Sequence, residues 1–539
     1  MTTIFEVSDS AAAEYYCKNA EYEKGLEIYR DIIKSHEGEE QLEAINDFTK
    51  YAFEHASKLA AASKWGEAIA LYKEVMHFPN FPVTTYKNVG LCLKAMNKPE
   101  EALSLLEMYR ERTPNNAEVY QFMGGIFYQD KKDLKTAIDF YEKALALGEK
   151  SFHVYSMLGH LYSTFYRDNY KEKQIEYLTK AYELEPKNRI AVKNLAYVLG
   201  KFNMTEEADR LYAELMKVNP QHADLHSYGA YLVKHKRFKE GFTFLRHRFQ
   251  KEDLEGKHFP DVFFSEYAWT PEKDIKGKDV VVYYEQGFGD SIMFLRFVPQ
   301  LKEICKSVSV IVPEALVDLF RDSNLGLDFY LPQQLDNLRF DIVIPMMDLP
   351  LVCNTTPDTI PFSEGYLNVP QGKVKAYCKA NIESNKCFKI GIAYEGTLSS
   401  KETQRDIQLS KLYPLMQIPN VIVYSFQVDD LTKQMDNVPE GYNFVRLGGT
   451  FKNWEDTACA MKNMDLIVTT DNGVMNLAGA LGVKTFALFN SITEWRWFKT
   501  TGADIAWYKS IKPFQCPSDG EWEEPVSRIV NEVKRLAKK

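Results

Sequence analysis

Small residues recur at a regular interval through the first 250 residues, among apolar positions with helical spacing. One series comprises Gly90, Gly124, Gly159, Ala196 and Gly229. A second comprises Ala68, Ala102, Ala137, Ala208 and Gly241, and four positions after these stand Tyr72, Leu106, Tyr141, Tyr212 and Leu245. An interval of about 34 residues predicts stacked helix pairs, in which small residues allow close approach and bulky residues fill the core. We therefore expect a solenoid of about seven units over residues 1–250.

This interval resembles that of the tetratricopeptide repeat, and Pro114, Pro186 and Pro220 fall where such units end. One unit carries a short insertion at residues 166–170. Solenoids of this kind present a concave surface that usually binds a peptide or a protein. A protein-binding arm is the favoured interpretation, and a structural spacer or a dimerisation surface is the alternative. Whether the chain forms a homo-oligomer is left open.

The pattern changes after Phe249, where short apolar runs of strand length replace the helical period. Residues 251–277 are charged and predict a connector. The runs that follow are residues 280–284, 308–312, 341–344, 389–394, 421–426, 466–469 and 484–489. Continuous apolar strands are typical of parallel sheets covered on both faces. The runs cluster in residues 278–370 and 389–539, joined by a linker at 371–388, which predicts two α/β lobes with a ligand cleft at the carboxyl ends of their strands.

The segment 471–482 is the most informative motif, because it connects two of the predicted strands. Asp471, Asn472 and Gly473 form a turn signal, and the small residues after them suit a closely packed helix. A strand, a tight turn and a helix in this order direct free backbone N–H groups at whatever lies above the sheet. The segment therefore predicts a phosphate site.

A second motif follows the first predicted strand and contains Gly287, Gly289 and Asp290. The two glycines allow a tight turn from strand to helix and close approach of a ligand. The third glycine of a dinucleotide fingerprint is missing, so an NAD site is not predicted. Asp290 is expected near the helix N-terminus, where capping the helix and acting in catalysis are equal alternatives on local sequence alone.

Composition, net charge and cysteine spacing limit the possible partners, compartment and metal sites. The net charge is −9, which argues against nucleic acid as the main partner. No apolar run is long enough to span a bilayer, and the first residues lack the basic start and apolar core of a signal peptide. The eight cysteines include no CxxC pair and no cluster with zinc spacing. We expect a cytoplasmic protein with reduced thiols and no metal.

Several motifs together resemble one family. They lie at residues 284–294, 391–396, 405–407, 424–427, 471–482 and 494–497. This order is similar to that of bacterial proteins that join tetratricopeptide repeats to a glycosyltransferase domain like that of ADP-heptose lipopolysaccharide heptosyltransferases. The resemblance covers nearly the whole chain. It implies a GT-B fold, with two Rossmann-like lobes and a nucleotide-sugar held mainly by the second, and inverting transfer that needs no metal or other cofactor.

The resemblance also implies roles for individual residues. Asp290 matches the aspartate proposed as general base, which accepts the proton of the acceptor hydroxyl. Arg405 could bind the donor diphosphate, Gln427 the base or ribose, and Asp471 would orient backbone or ribose. The implied nucleotide-sugar residues are Gly287, Gly289, Gly396, Arg405, Gln427, Asp471, Asn472, Gly473, Val474 and Asn476.

Two asparagines depart from the family pattern, since Asn472 and Asn476 stand where heptosyltransferases usually carry threonine and histidine. Trp495 and Trp497 either cover the donor or pack the lobes together. Three functions follow as hypotheses. The first is transfer of a sugar to a protein recruited by the repeats, the second is transfer to a glycan or lipid-linked sugar, and the third is a non-catalytic scaffold.

Overall fold

The computed structural model describes residues 9–166, 169–250, 259–396, 405–428, 433–498 and 506–538. The chain divides into two compact units between Lys187 and Asn188. The sequence pattern places the change in character near residue 250, so the last helices of the repeat region belong to the second unit. The first eight residues of the predicted connector, 251–258, lie outside the described residues.

The first unit is a succession of antiparallel helix pairs. Its helices are α1 (Asp9–Lys18), α2 (Tyr22–Ser35), α3 (Glu39–Ala61), α4 (Trp65–Val75), α5 (Thr84–Ala95), α6 (Pro99–Arg112), α7 (Ala117–Gln129), α8 (Leu134–Ala146), α9 (Phe152–Phe165) and α10 (Lys171–Leu184). Two further pairs open the second unit, formed by α11 (Arg189–Lys201), α12 (Thr205–Leu215), α13 (His222–Lys234) and α14 (Phe238–Leu245). The described residues therefore contain seven helix pairs, as the repeat interval predicts.

Close packing inside the pairs explains the two series of small residues. A Cβ atom on Gly124 would lie 2.9 Å from the ring of Tyr141. Tyr72, Tyr141 and Tyr212 are buried, so the bulky series is core, as expected. In the fifth pair the second series continues through Gln174, which is fully buried at the position where other pairs have alanine or glycine. Its side-chain N–H donates to the carbonyl oxygen of Asn169, which satisfies a polar group that would otherwise be costly to bury.

The turns inside the pairs share a left-handed backbone conformation that was not predicted from the sequence. In the described residues, each of the seven turns contains one non-glycine residue with a φ between 55° and 65°: Ala20, Ser63, Asn97, Lys132, Tyr170, Asn203 and Lys236. The N–H of the following residue often donates back across the turn, as from Lys64 to the carbonyl of Leu59. This is the Schellman arrangement, which ends a helix by satisfying its last carbonyls.

The α/β region of the second unit has two sheets in which all the pairings are parallel. Their strands are β1 (Asp279–Tyr283), β2 (Ser307–Ile311), β3 (Asp328–Tyr330), β4 (Ile342–Pro345), β5 (Phe388–Ala393), β6 (Val421–Ser425), β7 (Phe444–Arg446), β8 (Leu466–Thr470), β9 (Thr485–Phe489) and β10 (Ile511–Gln515). The first sheet has the order β3-β2-β1-β4 and the second β10-β9-β8-β5-β6-β7. The parallel sheets are confirmed, whereas β3, β7 and β10 were not predicted because they are short or partly polar.

Helices cover these sheets. They are α15 (Phe288–Leu295), α16 (Val298–Leu301), α17 (Glu314–Asp322), α18 (Leu349–Val352), α19 (Gln371–Asn381), α20 (Tyr413–Met416), α21 (Trp454–Met461), α22 (Gly473–Ala480) and α23 (Glu523–Leu536). The predicted linker at 371–388 is largely α19, which buries Val374 and Tyr377. The terminal helix α23 packs its apolar face on the core of the six-stranded sheet.

The last helix pair is packed into the core of the α/β region. Phe238 stacks near Trp507 at 6.2 Å between ring centroids, and Phe242 contacts Phe294 edge-on at 6.4 Å. These rings belong to one buried cluster that also contains Val280 and Val282 of β1. The pair α13–α14 thus supports the α/β region directly. Among the described residues, no helix is long and apolar enough to cross a membrane.

Candidate functional site

The carboxyl edge of the six-stranded sheet collects three of the predicted residues. Because β5, β6 and β8 are parallel neighbours, the segments that follow them emerge side by side. Gly396 follows β5, Gln427 follows β6 and Asp471 follows β8. The Gln427 side chain accepts a hydrogen bond from the N–H of Glu395 at 3.2 Å. Residues 397–404, which lead to Arg405, lie outside the described residues.

The turn after β8 uses its own side chain to cap the next helix. The Asn472 Oδ1 atom accepts from the N–H of Val474 at 2.9 Å and of Met475 at 3.3 Å. Asparagine is among the best N-cap residues, which explains why the turn forms here. The expectation that the N–H of Val474 is free for phosphate is therefore wrong for this structure. Gly473 is required, because a Cβ atom there would lie 2.7 Å from the Trp454 ring.

Asn476, the second asparagine, is turned into the protein. It is 6% exposed. Its Oδ1 atom accepts from the Tyr508 hydroxyl at 3.2 Å, and its Nδ2 atom donates to the carbonyl of Asn472 at 3.4 Å. Both ends of the amide are thus used in holding α22 against its surroundings.

Arg405 meets Asp471 at the same edge, with 3.5 Å between Nη1 and Oδ2. Asp471 is 9% exposed. Burial raises the pKa of Asp471, and the positive charge of Arg405 opposes this, while Glu494 adds to it. Arg405 was predicted to reach a diphosphate, and in this structure it neutralises a buried carboxylate instead.

The turn between β1 and α15 approaches the same place from the four-stranded sheet. Gln286 has a φ of 61°, and Gly287 stands immediately before the helix. A Cβ atom on Gly289 would lie 3.0 Å from Asn476 Nδ2 and 3.4 Å from Gly473 Cα. The first turns of α15 and α22 therefore meet, one from each sheet. Gly289, Gly473 and Asn476, which were predicted separately, are brought together by this contact.

Asp290 is held by an arginine that the sequence analysis did not assign. Arg496 Nε donates to Asp290 Oδ1 at 2.7 Å, and Arg496 Nη2 donates to Gln286 Oε1 at 3.0 Å. Each side chain of the Asp290–Arg496 pair is 17% exposed. Gly287 occupies the N-cap position, so the alternative role of Asp290 as a helix cap is wrong.

The surroundings of Arg496 keep it charged. Its guanidinium lies 4.4 Å from the centroid of the Trp495 ring, and Glu494 is 3.9 Å from its Nη1 atom. Burial acts to lower the pKa of Arg496, but Asp290 and Glu494 together raise it above the ordinary value. Trp497 is buried and packs on Phe489 of β9, with ring centroids 5.7 Å apart, so this contact lies within the region of the six-stranded sheet.

A second arginine cluster, also missed, lies beside the first turn. Arg248 donates from Nε and Nη2 to the two carboxylate oxygens of Glu285, each at 2.7 Å, and from Nη2 to Asp348 at 2.8 Å. The N–H of Met347 donates to Glu285 at 3.0 Å. Burial raises the pKa of Glu285, and Arg248 opposes the shift. Glu285 stood in a motif we had identified, but Arg248 lies 37 residues upstream and only the fold joins them.

Within the ranges that the structure describes, no three His, Cys, Asp or Glu side chains are grouped so as to hold a metal ion. The charged groups of the candidate site are instead Asp290, Asp471, Glu494, Arg405 and Arg496. They are two cations and three carboxylates, of which Asp290 follows a strand of the four-stranded sheet and Asp471 and Glu494 follow strands of the six-stranded sheet. Such a site can bind an anion and accept a proton.

No family model matches the chain. Protein FlbA of Caulobacter vibrioides is 23% identical over 298 residues, 50% of this chain and 48% of that protein. The BBSome complex member BBS4 homolog of Drosophila melanogaster is 26% identical over 147 residues, 25% of this chain and 29% of that protein. The chain thus spans less than half the length of these curated relatives.

Solved structures similar to the chain include tetratricopeptide-repeat proteins. YrrB, described as a TPR protein with an unusual peptide-binding site, is 20% identical, with a TM-score of 0.30, covering 34% of this chain and 93% of its own. The C-terminal part of a TPR repeat-containing protein from Cytophaga hutchinsonii is 17% identical, with a TM-score of 0.34, covering 46% and 96%. The described residues form a solenoid of helix pairs followed by a region of parallel sheets.

Proposed function

We propose that this protein is a glycosyltransferase of the GT-B type, which moves a sugar from a nucleotide-sugar to an acceptor protein. The observation that carries the proposal is the contact between the first turns of α15 and α22. It brings Asp290 from one parallel sheet towards Asp471 and Asn476 from the other. Ligands of doubly wound sheets bind at the carboxyl ends of their strands, which is where these residues lie.

The proposed reaction is a direct displacement. The acceptor hydroxyl oxygen attacks the anomeric carbon of the sugar, and the bond from that carbon to the diphosphate oxygen breaks. The electron pair leaves with the nucleoside diphosphate, and the hydroxyl proton passes to the Asp290 carboxylate. Attack from the opposite side inverts the anomeric configuration. Arg405 and Arg496 are the cations available to compensate the charge of the leaving diphosphate.

Asp290→Asn tests the assignment of the base. We expect loss of transfer by at least about 100-fold, because general base catalysis typically contributes that much or more. The measurement is sugar transfer from a panel of nucleotide-sugars to proteins of a cell extract, scored by mass spectrometry. Asp358→Asn is the control, since Asp358 is exposed and distant in sequence from every predicted site residue. Full activity of Asp290→Asn would exclude it as the base.

The helical repeats are proposed to recruit the acceptor, since their aromatic series is used in packing and repeat solenoids bind peptides and proteins on the surface that packing leaves open. Removal of residues 1–187, at the boundary between the units, separates a protein acceptor from a small glycan acceptor. Transfer to protein should fall while transfer to a free sugar persists. Circular dichroism must first show that the shortened chain folds. Equal loss of both activities would argue against recruitment by the repeats.

A non-catalytic scaffold is the second candidate, and two observations favour it. Asn472 already caps the N–H groups expected to bind phosphate, and Asp290 is already paired with Arg496. A thermal-shift panel of UDP, GDP, ADP, CDP and dTDP distinguishes the two functions. A ligand that binds only the folded state must raise the unfolding temperature, so a glycosyltransferase should respond to at least one diphosphate and a scaffold to none.

A further inference from the structure

Arg496 occupies an intermediate position between the two sides of the candidate site. Its guanidinium contacts Asp290 and Gln286 of the turn before and within α15. Its own chain segment, Glu494–Trp497, follows β9 of the other sheet. The contact with Asp290 uses one N–H of the guanidinium, and both side chains keep some exposure to water. The pair is therefore a contact between the two lobes that can open without exposing a fully buried charge.

We propose that Arg496 couples donor binding to the activation of Asp290. In the ligand-free chain Arg496 holds the Asp290 carboxylate, and on donor binding it turns to the diphosphate and leaves that carboxylate available. The inference rests on the proposed function, because it assigns the regulation of the same site. Arg496 is a positioning residue in this scheme with respect to Asp290, and a ligand-binding residue with respect to the donor.

The physical argument begins with the base. Arg496 Nε donates to Oδ1 of the Asp290 carboxylate at 2.7 Å and so occupies an oxygen that an acceptor hydroxyl would need. Asp290 therefore needs to lose that contact before it can accept a proton efficiently. A diphosphate carries more negative charge than one carboxylate and offers several acceptor oxygens, which suit the fork of an arginine. Donor binding thus provides a reason for Arg496 to exchange partners.

Neighbouring groups allow that exchange without loss of the arginine from the site. Glu494 lies 3.9 Å from Nη1, and the Trp495 ring lies beneath the guanidinium. The main-chain carbonyl of Arg496 accepts from the Trp507 indole N–H, which fixes the backbone of the segment. The side chain can then rotate on a fixed backbone. Donor must bind before the acceptor is deprotonated, so the scheme predicts ordered binding.

The test measures nucleoside diphosphate affinity by isothermal titration calorimetry, using UDP, GDP, ADP, CDP and dTDP on the full-length chain. We expect Arg496→Gln to weaken the diphosphate that binds the wild type by about tenfold or more, and Arg496→Lys to weaken it less. Asp290→Asn should tighten binding severalfold, because the neutral amide oxygen holds Arg496 less strongly than the carboxylate does. In the double variant that gain should disappear. Arg528→Gln is the control, since this arginine is 54% exposed on α23 and carries the same charge.

The outcomes separate the two levels of inference. If the wild type binds none of the diphosphates, both the proposed function and the coupling fail. If the wild type binds and Arg496→Gln binds equally well, the coupling fails while the proposed function survives. Unchanged or weaker binding by Asp290→Asn also overturns the coupling. If Arg496→Gln does not fold, Asp290→Asn and Arg496→Lys still decide the question, because a gain in one and a loss in the other are both required.

Discussion

Two arginine–carboxylate contacts flank the turn between β1 and α15, and they differ in burial and in the number of hydrogen bonds. Arg248 is 3% exposed and donates to both oxygens of Glu285 and also to Asp348. Arg496 is 17% exposed and donates to one oxygen of Asp290. Glu285 and Asp290 are only five residues apart in the chain. One short turn therefore joins a buried ion cluster to a partly exposed pair.

The difference shows how a fold can hold one end of a turn firmly and leave the other adjustable. Removing Arg248 would leave Glu285 buried without its cation and Asp348 with Arg246 alone, 3.5 Å away, which is a large penalty. Removing Arg496 leaves a carboxylate that water can reach. The first contact is suited to fixing the position of α15, and the second is suited to exchanging a partner.

The largest expected effect is that of Arg248→Met on stability. We expect a loss of about 3–5 kcal/mol in the free energy of unfolding, because Glu285 and Asp348 lose their buried partner. Tryptophan fluorescence during urea unfolding measures it, since six of the seven tryptophans lie in the second unit. The control is Arg237→Met, whose guanidinium is 38% exposed and pairs with Asp209 and Glu240; it should cost less than about 1 kcal/mol. Equal losses for Arg248→Met and Arg237→Met would show that burial does not determine how much each ion pair contributes to stability.

Arg496→Gln should cost less, about 1–2 kcal/mol, because the partly exposed hydrogen bonds to Asp290 and Gln286 are lost and Asp290 can be hydrated. The same urea experiment measures it. A loss as large as that for Arg248→Met would mean that the Asp290 contact is also a fixed structural element, and the proposed exchange of partners would become untenable.

The stability of the protein should also depend on alkaline pH, through Lys234 of α13. This lysine interacts electrostatically with Glu494, the neighbour of Arg496. Burial lowers the pKa of Lys234 to about 8, and Glu494 opposes the shift. Above that value the folded chain releases a proton that the unfolded chain keeps until about pH 10.4, so stability should rise with pH in this window. Relative to Lys234→Met, the wild type should gain about 1 kcal/mol between pH 8 and 9. A flat or falling difference would contradict the lowered pKa.

The smallest expected effect is that of salt. Raising NaCl from about 0.05 to 1 M shortens the screening length to about 3 Å, which weakens partly exposed pairs most. The stability difference between the wild type and Arg496→Gln should shrink by less than about 0.5 kcal/mol, while the difference for Arg248→Met should stay constant. Equal salt dependence would show that water reaches both pairs alike.

The fold was largely predictable because its signals are periodic. Alanine and glycine at fixed intervals indicated the helix pairs, and continuous apolar runs indicated the parallel strands. Strands β3 and β7 escaped detection because each has only three residues, one of which is charged. Gln174 was missed for another reason: a polar residue in a small-residue position breaks the pattern, although its side chain is satisfied locally.

The candidate site was less predictable, since its contacts join distant parts of the chain. The sequence identified Gly289, Gly473 and Asn476, and the structure brings them together. The sequence analysis did not predict that Asn472 caps α22 and so occupies the N–H groups of the helix. The preference of asparagine for the N-cap position was a signal that could have indicated it. Arg496 lies in one of the motifs, between Trp495 and Trp497, but the sequence assigns it no role. A pair of residues separated by 206 positions has no signal in the local sequence.

The left-handed residues in the seven helix-pair turns have a consequence for how the solenoid comes apart. Each turn is closed by hydrogen bonds between residues close in sequence, so each hairpin can form without waiting for distant segments. The strands of the α/β region, in contrast, pair across long stretches of chain. Damage to one turn, at Ser63 for instance, should fray its own hairpin and its neighbours in the manner of a zipper. The paired strands of the α/β region are distant in sequence, so we expect this region to unfold as one unit.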